Sequence, residues 1–287
     1  LAERRISNPS DPKEKLKTAY QNVEVAGSYE EERDFRATDV SLHYETEIIG
    51  LTEALRGVKG PILEVAVGTG RLCRRLRDVV PTEAGAPDAG DRSYVGLDVS
   101  LQMLHEAQKW LKETAISQSG RPTTGGYATA NPPKARPVYL LRADAFQMPF
   151  PNEYFHATIG FRFIKHLDPP NRRLLYREIQ RVLIKEGLLI FDFYGWRKRA
   201  RTQQSASGGS RLTPQALRRE LEENGFKLIK IYGTRHRLPA LLSSPFRALR
   251  LKSPVQALGW LEIKLLSPLD ELLGRSRGGI VVARKMC

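Results

Sequence analysis

Cysteine is almost missing. Of 287 residues only Cys73 and Cys287 carry a thiol, one just past a glycine turn and the other at the last position. Neither a disulfide framework nor a cysteine metal site can be argued from them, and no metal is expected. Also lacking is any run of about eighteen apolar residues, which excludes a conventional membrane-spanning helix. The opening "LAERRISNPSDPKEKLK" is too charged to be the core of a signal peptide, so the chain reads as a soluble cytoplasmic protein. Its first residue is Leu rather than Met, as a trimmed chain would show. Acidic residues are in deficit, with 32 Asp and Glu against 46 Lys and Arg for a net charge of +14. The surplus is local. Residues 195–256 hold fourteen Lys and Arg against three Glu, an excess of +11 that would attract phosphates on nucleic acid, lipid headgroups or a small anionic substrate.

What is present alternates between two periods. Residues 1–57 are polar and read as an N-terminal helical cap, with "SLHYETEIIGLTEAL" near helical spacing before Gly57 and Gly60. "PILEVAV" is a β-branched run that Pro61 separates from any preceding helix, and "GRLCRRLRDVV" carries Leu72, Leu76 and Val79 as a helical stripe. "SYVGLDVS" and "LQMLHEAQKWLKET" repeat the strand-helix pair. Residues 117–137, with four prolines and three glycines, read as a surface insertion. Then follow strands in "VYLLRADAF", "YFHATIGFRF" and "GLLIFDFYG", the last two separated by a helix with Leu174, Leu175, Ile179 and Leu183 on one side. Five strands alternating with helices predict an α/β, doubly wound, mostly parallel sheet. "TPQALRRELEENGF" predicts a helix with Pro214 early and Gly225 at its end, followed by the strand "KLIKIYG". "GGIVVARK" is the seventh strand. Between these two strands, in a helical insertion over residues 238–274, Ser244, Ser253 and Ser267 each precede Pro and predict three short N-capped helices.

The functional signal begins at "PILEVAVGTGRL". A strand, Gly68-x-Gly70 and then a helix form a generic anion or nucleotide cradle, because glycines let a ligand approach the backbone and a helix N-terminus offers free N–H groups. A dinucleotide fingerprint would need a third glycine where Cys73 stands, so the pyrophosphate reading falls. More telling are the acids at strand ends: Glu64, Asp98 and Asp144. The carboxyl ends of parallel strands share one rim, where ligands of open α/β sheets bind. Three acids there suit a ligand bearing hydroxyls, an amine and positive charge. Asp98 is placed to accept from a ribose diol and Asp144 from an adenine amino group, with Ala145, Phe146 and Met103 flanking the ring.

These motifs resemble the class I S-adenosylmethionine-dependent methyltransferases, the broad group of quinone-type and small-molecule enzymes. "LEVAVGTG", "GLDVSLQML", "RADAFQMPFPNEYFHATIG" and "REIQRVLIKEGLLI" follow that family's order and spacing from about Ile62 to Asp192. The resemblance implies a seven-stranded Rossmann-like sheet with an antiparallel last strand, and a methyltransferase domain over residues 58–287 with S-adenosylmethionine as cofactor. It implies that Gly68 and Gly70 pass the cofactor's methionine portion, that Glu64 anchors that region, that Asp98 binds the ribose, and that Asp144 with Ala145 flanks the adenine. Val99, Met103 and Phe161 join the expected cofactor residues. Ala66 stands where the family usually has its first glycine, and "KEGL" at Lys185–Leu188 replaces the usual "KPGG" turn.

Transfer from a sulfonium is an in-line displacement for which proximity does most of the work, and a base is optional. In "FRFIKHLDPP", after the fourth strand, His166 is the candidate base, and Arg162 and Lys165 are candidates to orient an anionic acceptor. No "NPPF"-like tetrapeptide follows that strand, which counts against methylation of base nitrogens. The helices near residues 244–267 combine Phe246, Leu249, Leu258, Trp260 and Leu261 with Arg247, Arg250 and Lys252. That mix suits a small or lipid-like acceptor methylated at O or C, or peripheral contact with an anionic membrane. The alternative is an RNA methyltransferase whose stretch 195–256 binds phosphates, although no nucleic-acid module is recognisable.

Overall fold

The computed structural model describes residues 41–79, 93–119, 136–194, 213–234, 237–248, 252–268 and 278–286. The expected alternation is there. Helix α1 spans Leu42–Ala54, and β1 (Ile62–Val65) leads through the glycine turn into α2 (Cys73–Val79). Strand β2 (Tyr94–Asp98), α3 (Leu101–Ser119), β3 (Val138–Arg142) and β4 (Phe155–Ile159) follow, and a single 3-10 turn over Ile164–His166 leads into α4 (Pro169–Val182). The chain continues through β5 (Leu183–Tyr194), α5 (Pro214–Glu223), β6 (Phe226–Thr234), α6 (Arg237–Ala248), α7 (Lys252–Leu261), a π-helical turn over Glu262–Leu266, and β7 (Gly278–Lys285).

The seven strands form one sheet in the order β3-β2-β1-β4-β5-β7-β6. Strands β1 to β5 pair in parallel, and β7 inserts antiparallel between β5 and β6. Strands β1 and β2 are buried along their whole length, as central strands covered on both faces must be. Side chains alternate between faces, so Leu63 and Val65 join one apolar layer while Ile62 and Tyr94 join the other. Order reverses at β1, which pairs with β2 on one side and β4 on the other. In open α/β sheets ligands bind at such a switch point, here at the carboxyl ends of β1 and β4.

Several local expectations hold for their stated reasons. Thr213 caps α5 by accepting from the Ala216 N–H at 3.2 Å, with Pro214 in the first turn. Gly225 ends that helix at φ 74, a left-handed conformation that favours glycine.

Others are corrected. Leu174 lies outside the α4 stripe and is exposed, while Leu175, Tyr176, Ile179 and Val182 are buried. "KEGL" is no turn: β5 begins at Leu183 and absorbs Glu186 at φ 61 as an irregularity, with register jumping between Phe155 and Ala157 of β4. The three Ser-Pro pieces do not each start a helix. Pro245 lies inside α6, and Lys252 already precedes Ser253 in α7. Ser267 follows the π-turn and accepts the Gly233 N–H at 2.8 Å, tying the helical layer to β6. A Ser-Pro signal marks where a helix tolerates a missing N–H, and packing then lets these helices begin earlier. Residues 117–119 of the expected insertion continue α3, and Arg136 near its end is buried, donating to the carbonyls of Gly60 and Val58. The rest of that insertion, Arg250 and the side chains of Arg247, Leu249 and Lys252 lie outside the described residues, as do 1–40 and 195–212.

Candidate active site

Strand β1 ends in a backbone that ordinary residues avoid. Ala66 has φ 57, Gly68 φ 56 and Gly70 φ 76, so the turn winds through the left-handed region three times in five residues. An L-residue such as Ala66 pays for this with Cβ crowding, which is the physical reason a glycine would be at home there. The two glycines do different jobs. A Cβ on Gly68 would meet nothing within 4 Å, so that face looks into open space where a ligand can lie against the backbone. A Cβ on Gly70 would sit 3.1 Å from Ala107 Cβ, which makes Gly70 the point where the turn packs on α3.

Asp98, at the carboxyl end of the adjacent β2, fastens this turn. Its Oδ2 accepts the Gly68 N–H at 2.9 Å and its Oδ1 the Ser100 N–H at 2.9 Å. Burial pushes the Asp98 carboxyl up, against the pull of the Ser100, Gly68 and Val99 N–H groups. Each oxygen keeps a further acceptor site, which is what a pair of ligand hydroxyls requires. Val99 is half-buried with its carbonyl accepting from Arg142 Nε at 3.1 Å, and Met103 is buried one turn into α3.

Glu64 stands beneath the turn. Its alternation along β1 places it on the face of Tyr94, whose hydroxyl donates to Glu64 Oε2 at 2.7 Å. Only 3% exposed, its carboxyl is pushed up to about 8 by burial, with Asp98 adding to the rise and Tyr94 and Arg71 opposing it. A buried carboxyl held near neutrality is poised to ionise when a cation arrives.

Beyond β3, Asp144 is half-buried and makes a local turn, its Oδ1 accepting the Phe146 N–H at 3.0 Å, with Ala145 buried behind it. This loop and the one after β4 meet edge to face through Phe146 and Phe163, ring centres 6.2 Å apart. Phe161 is buried against the apolar layer that contains Val67 and Leu72. Glu64, Ala66, Gly68, Gly70, Asp98, Val99 and Met103 are therefore gathered around one turn and its neighbour, and Asp144 and Ala145 lie further along the same rim.

The acceptor candidates turn inward. Arg162, at φ 57, donates its backbone N–H to Asp192 Oδ1 at 2.6 Å and its guanidinium to both oxygens of Glu47 at 3.1 and 2.9 Å. Lys165 is buried with its ammonium on Asp192 Oδ2 at 2.5 Å. These two cations thus balance carboxylates of the protein itself. His166, half-buried, closes the 3-10 turn with its backbone N–H on Phe163 O at 3.0 Å.

Three residues of this region escape a sequence reading. Glu47 in α1, 1% exposed, takes Arg71 at 2.8 Å, Arg162 at 2.9 Å and His43 Nε2 at 3.0 Å. Burial alone would raise its carboxyl, but His43, Arg162 and Arg71 hold it well below the usual range. Glu47 so links the glycine turn, through Arg71, to the loop after β4, through Arg162. His43, Glu47 and Asp192 line a small pocket of about 10 Å³, partly open to solvent, together with Phe193, Thr234 and the start of β7. Only Asp192 had a sequence signal, as a fourth acid near a strand end. The spacing of four between His43 and Glu47 fits one helix face, but their partners lie far along the chain. Among the described residues no cluster of His, Cys, Asp and Glu could hold a metal ion.

Residues 63–191 match a family model described as a methyltransferase domain. None of the curated proteins compared matches the chain. Similar solved structures include magnesium protoporphyrin IX methyltransferase from Synechocystis with bound SAH, at 12% identity and TM-score 0.57, covering 96% of this chain and 100% of that one. A SAM dependent methyltransferase from Aquifex aeolicus is similar at 12% identity and TM-score 0.51, over 92% and 99% of the two chains. The [4+2]-cyclase SpnF is similar at 18% identity and TM-score 0.52, over 84% and 81%. At these identities the likeness is one of fold, and a cyclase among the neighbours shows that the fold alone does not name the reaction.

Proposed function

We propose that the chain, whose residues 63–191 match a methyltransferase-domain model, is a class I S-adenosylmethionine-dependent methyltransferase acting on oxygen or carbon of a small or lipid-like acceptor. The observation that carries this reading is the cradle. Gly68 faces open space beside a buried Asp98 whose two oxygens retain acceptor capacity, with the raised Glu64 carboxyl beneath.

These residues fit the cofactor. Asp98 would take the ribose hydroxyls, Glu64 the amino group, Gly68 and Ala66 the methionine portion, and Asp144 with Ala145 and Met103 the adenine. When bound, S-adenosylmethionine supplies an electrophilic methyl group on a sulfonium. The chain contributes alignment and dryness: the loop after β4 is pinned by Asp192 and Glu47, so Phe161 and Arg162 hold one position. Arg162 keeps a strained backbone because both its N–H and its side chain are tied down, an arrangement suited to a positioning element.

RNA as acceptor rests on the +11 of residues 195–256, of which Arg218 and Arg219 are exposed on α5. Transfer of labelled methyl groups from the cofactor into a small-molecule and lipid extract, against total RNA, separates the two. Label is expected in the extract, with little change between low and moderate salt. Label in RNA that falls steeply with salt would overturn the acceptor assignment.

A further inference from the structure

The segment between β3 and β4 carries Asp144 and Ala145, and its backbone is held at both ends. At its start the Ala143 N–H donates to the carbonyl of Asp98 at 3.0 Å. A four-residue turn follows, with the Gln147 N–H on Asp144 O at 3.0 Å and the Phe146 N–H on Asp144 Oδ1 at 3.0 Å. Beyond the turn, Pro149 and Pro151 have no N–H to give, so residues 148–152 cannot pair as a strand. Their carbonyls still need donors.

Arg181, in the last turn of α4, supplies them. Its Nη2 donates to Met148 O at 2.8 Å, and its Nη1 donates to Phe150 O at 2.7 Å and Asn152 Oδ1 at 3.0 Å. Glu178, one turn earlier on the same helix face, accepts the Met148 N–H at 2.7 Å. It also grips the guanidinium, taking Nε at 3.0 Å and Nη2 at 2.7 Å. Hydrogen bonding from Arg181 holds the Glu178 carboxyl below its usual value. Met148 is thus taken by both its N–H and its carbonyl, and its buried side chain joins Ala145 in the apolar layer that contains Leu175 and Ile179 of α4. Only a planar fork reaches two carbonyls and a carboxylate at once, which a lysine ammonium cannot reproduce.

We propose that Arg181 and Glu178 form a positioning clamp that sets Asp144 for recognition of the adenine amino group. Suspended between the Asp98 carbonyl and this pair, the turn at 144–147 has one position, and base selectivity follows from it. The pair acts through the loop, since its contacts there are to backbone and to Asn152. The inference rests on the cofactor reading above.

Calorimetric affinities for S-adenosylhomocysteine and for S-inosylhomocysteine, in which an oxo group replaces the adenine amino group, report where Asp144 stands. Wild type is expected to prefer the adenine form about tenfold or more, because a carboxylate accepts from an amino group and repels an oxo oxygen. Arg181→Met keeps the aliphatic stem without the fork, and the preference should fall to about two- to threefold, mainly through weaker binding of the adenine form. Arg181→Lys and Glu178→Gln should lie between the two. Asp144→Ala should abolish the preference, and adding Arg181→Met to it should change the preference no further. The Arg181 side chain is 33% exposed, so these variants should fold, and melting temperatures check it. A pair that only stabilises the fold would lower the melting temperature of Arg181→Met and leave its preference at the wild-type value, which would overturn the proposal. So would additive losses in the double variant, or a wild type that binds both ligands equally. Failure of wild type to bind either ligand would overturn the cofactor reading itself, and the proposal with it.

Discussion

Raising the pH of the cofactor-free protein should destabilise it through Glu64, and Glu64→Gln should remove that dependence. In the unfolded chain this carboxyl releases its proton near 4.5, whereas in the fold burial holds the proton to about 8. The stability that accompanies the bound proton is complete below about 4.5 and is lost as pH rises toward 8. At about 1.4 kcal/mol for each pH unit, the loss is about 5 kcal/mol in full and about 2 kcal/mol between pH 6.0 and 7.5. Glutamine keeps the shape and an acceptor for the Tyr94 hydroxyl but has no proton to lose. Urea unfolding of both proteins across this window isolates the residue, because the raised Asp98 and the lowered His156 are common to both. Glu47, held low, changes charge only at more acidic pH. The slope for wild type should exceed that of the variant by about 1.3 kcal/mol per pH unit. A cationic amino group bound beside Glu64 should also expel its proton. Calorimetry of S-adenosylmethionine binding at pH 7 should then vary with the ionisation enthalpy of the buffer for wild type only. Parallel stability slopes in the two proteins would refute the buried, protonated carboxyl.

Three further outcomes are expected. Asp98→Ala removes the acceptor of the Gly68 N–H and of any ligand diol, so affinity for S-adenosylmethionine should fall about ten- to hundredfold by calorimetry; unchanged affinity would mean that the ribose lies elsewhere. Ala66→Gly relieves a left-handed alanine, worth about 1 to 2 kcal/mol, against about 0.5 to 1 kcal/mol of extra chain entropy, for a net gain of about 0.5 to 1 kcal/mol in denaturant. A lower melting temperature would contradict that strain. Glu47→Gln withdraws the buried charge shared by Arg71 and Arg162 and should cost about 3 kcal/mol or more in urea unfolding, whereas a cost below about 1 kcal/mol would show the cluster to be well hydrated.

Much of the architecture was legible because its signals are local. Short apolar runs marked β1, β2 and β4, and Pro214 with Gly225 bracketed α5 as expected, since runs and caps act over a few residues. Local signals misled where a neighbour overruled them. Leu174 looked like core but faces water, because α4 settles on Leu175 and Ile179. Of the Ser-Pro pairs, which looked like helix starts, Ser244-Pro245 rides inside α6 and Ser267 follows the π-turn, while Ser253 stands one residue into α7.

The sequence by itself determined the strand-turn-helix cradle and the acids that mark its rim, because strand ends in a parallel sheet must share an edge. Only the tertiary structure decided what charge those groups carry and whom they serve. Glu64 is raised by a burial that no residue beside it announces. Glu47 joins loops 24 and 115 residues away, and Arg162 and Lys165, read in the sequence as candidates to orient an anionic acceptor, pair with it and with Asp192. Burial and pairing are set by which distant segments meet, and a one-dimensional pattern carries no record of that.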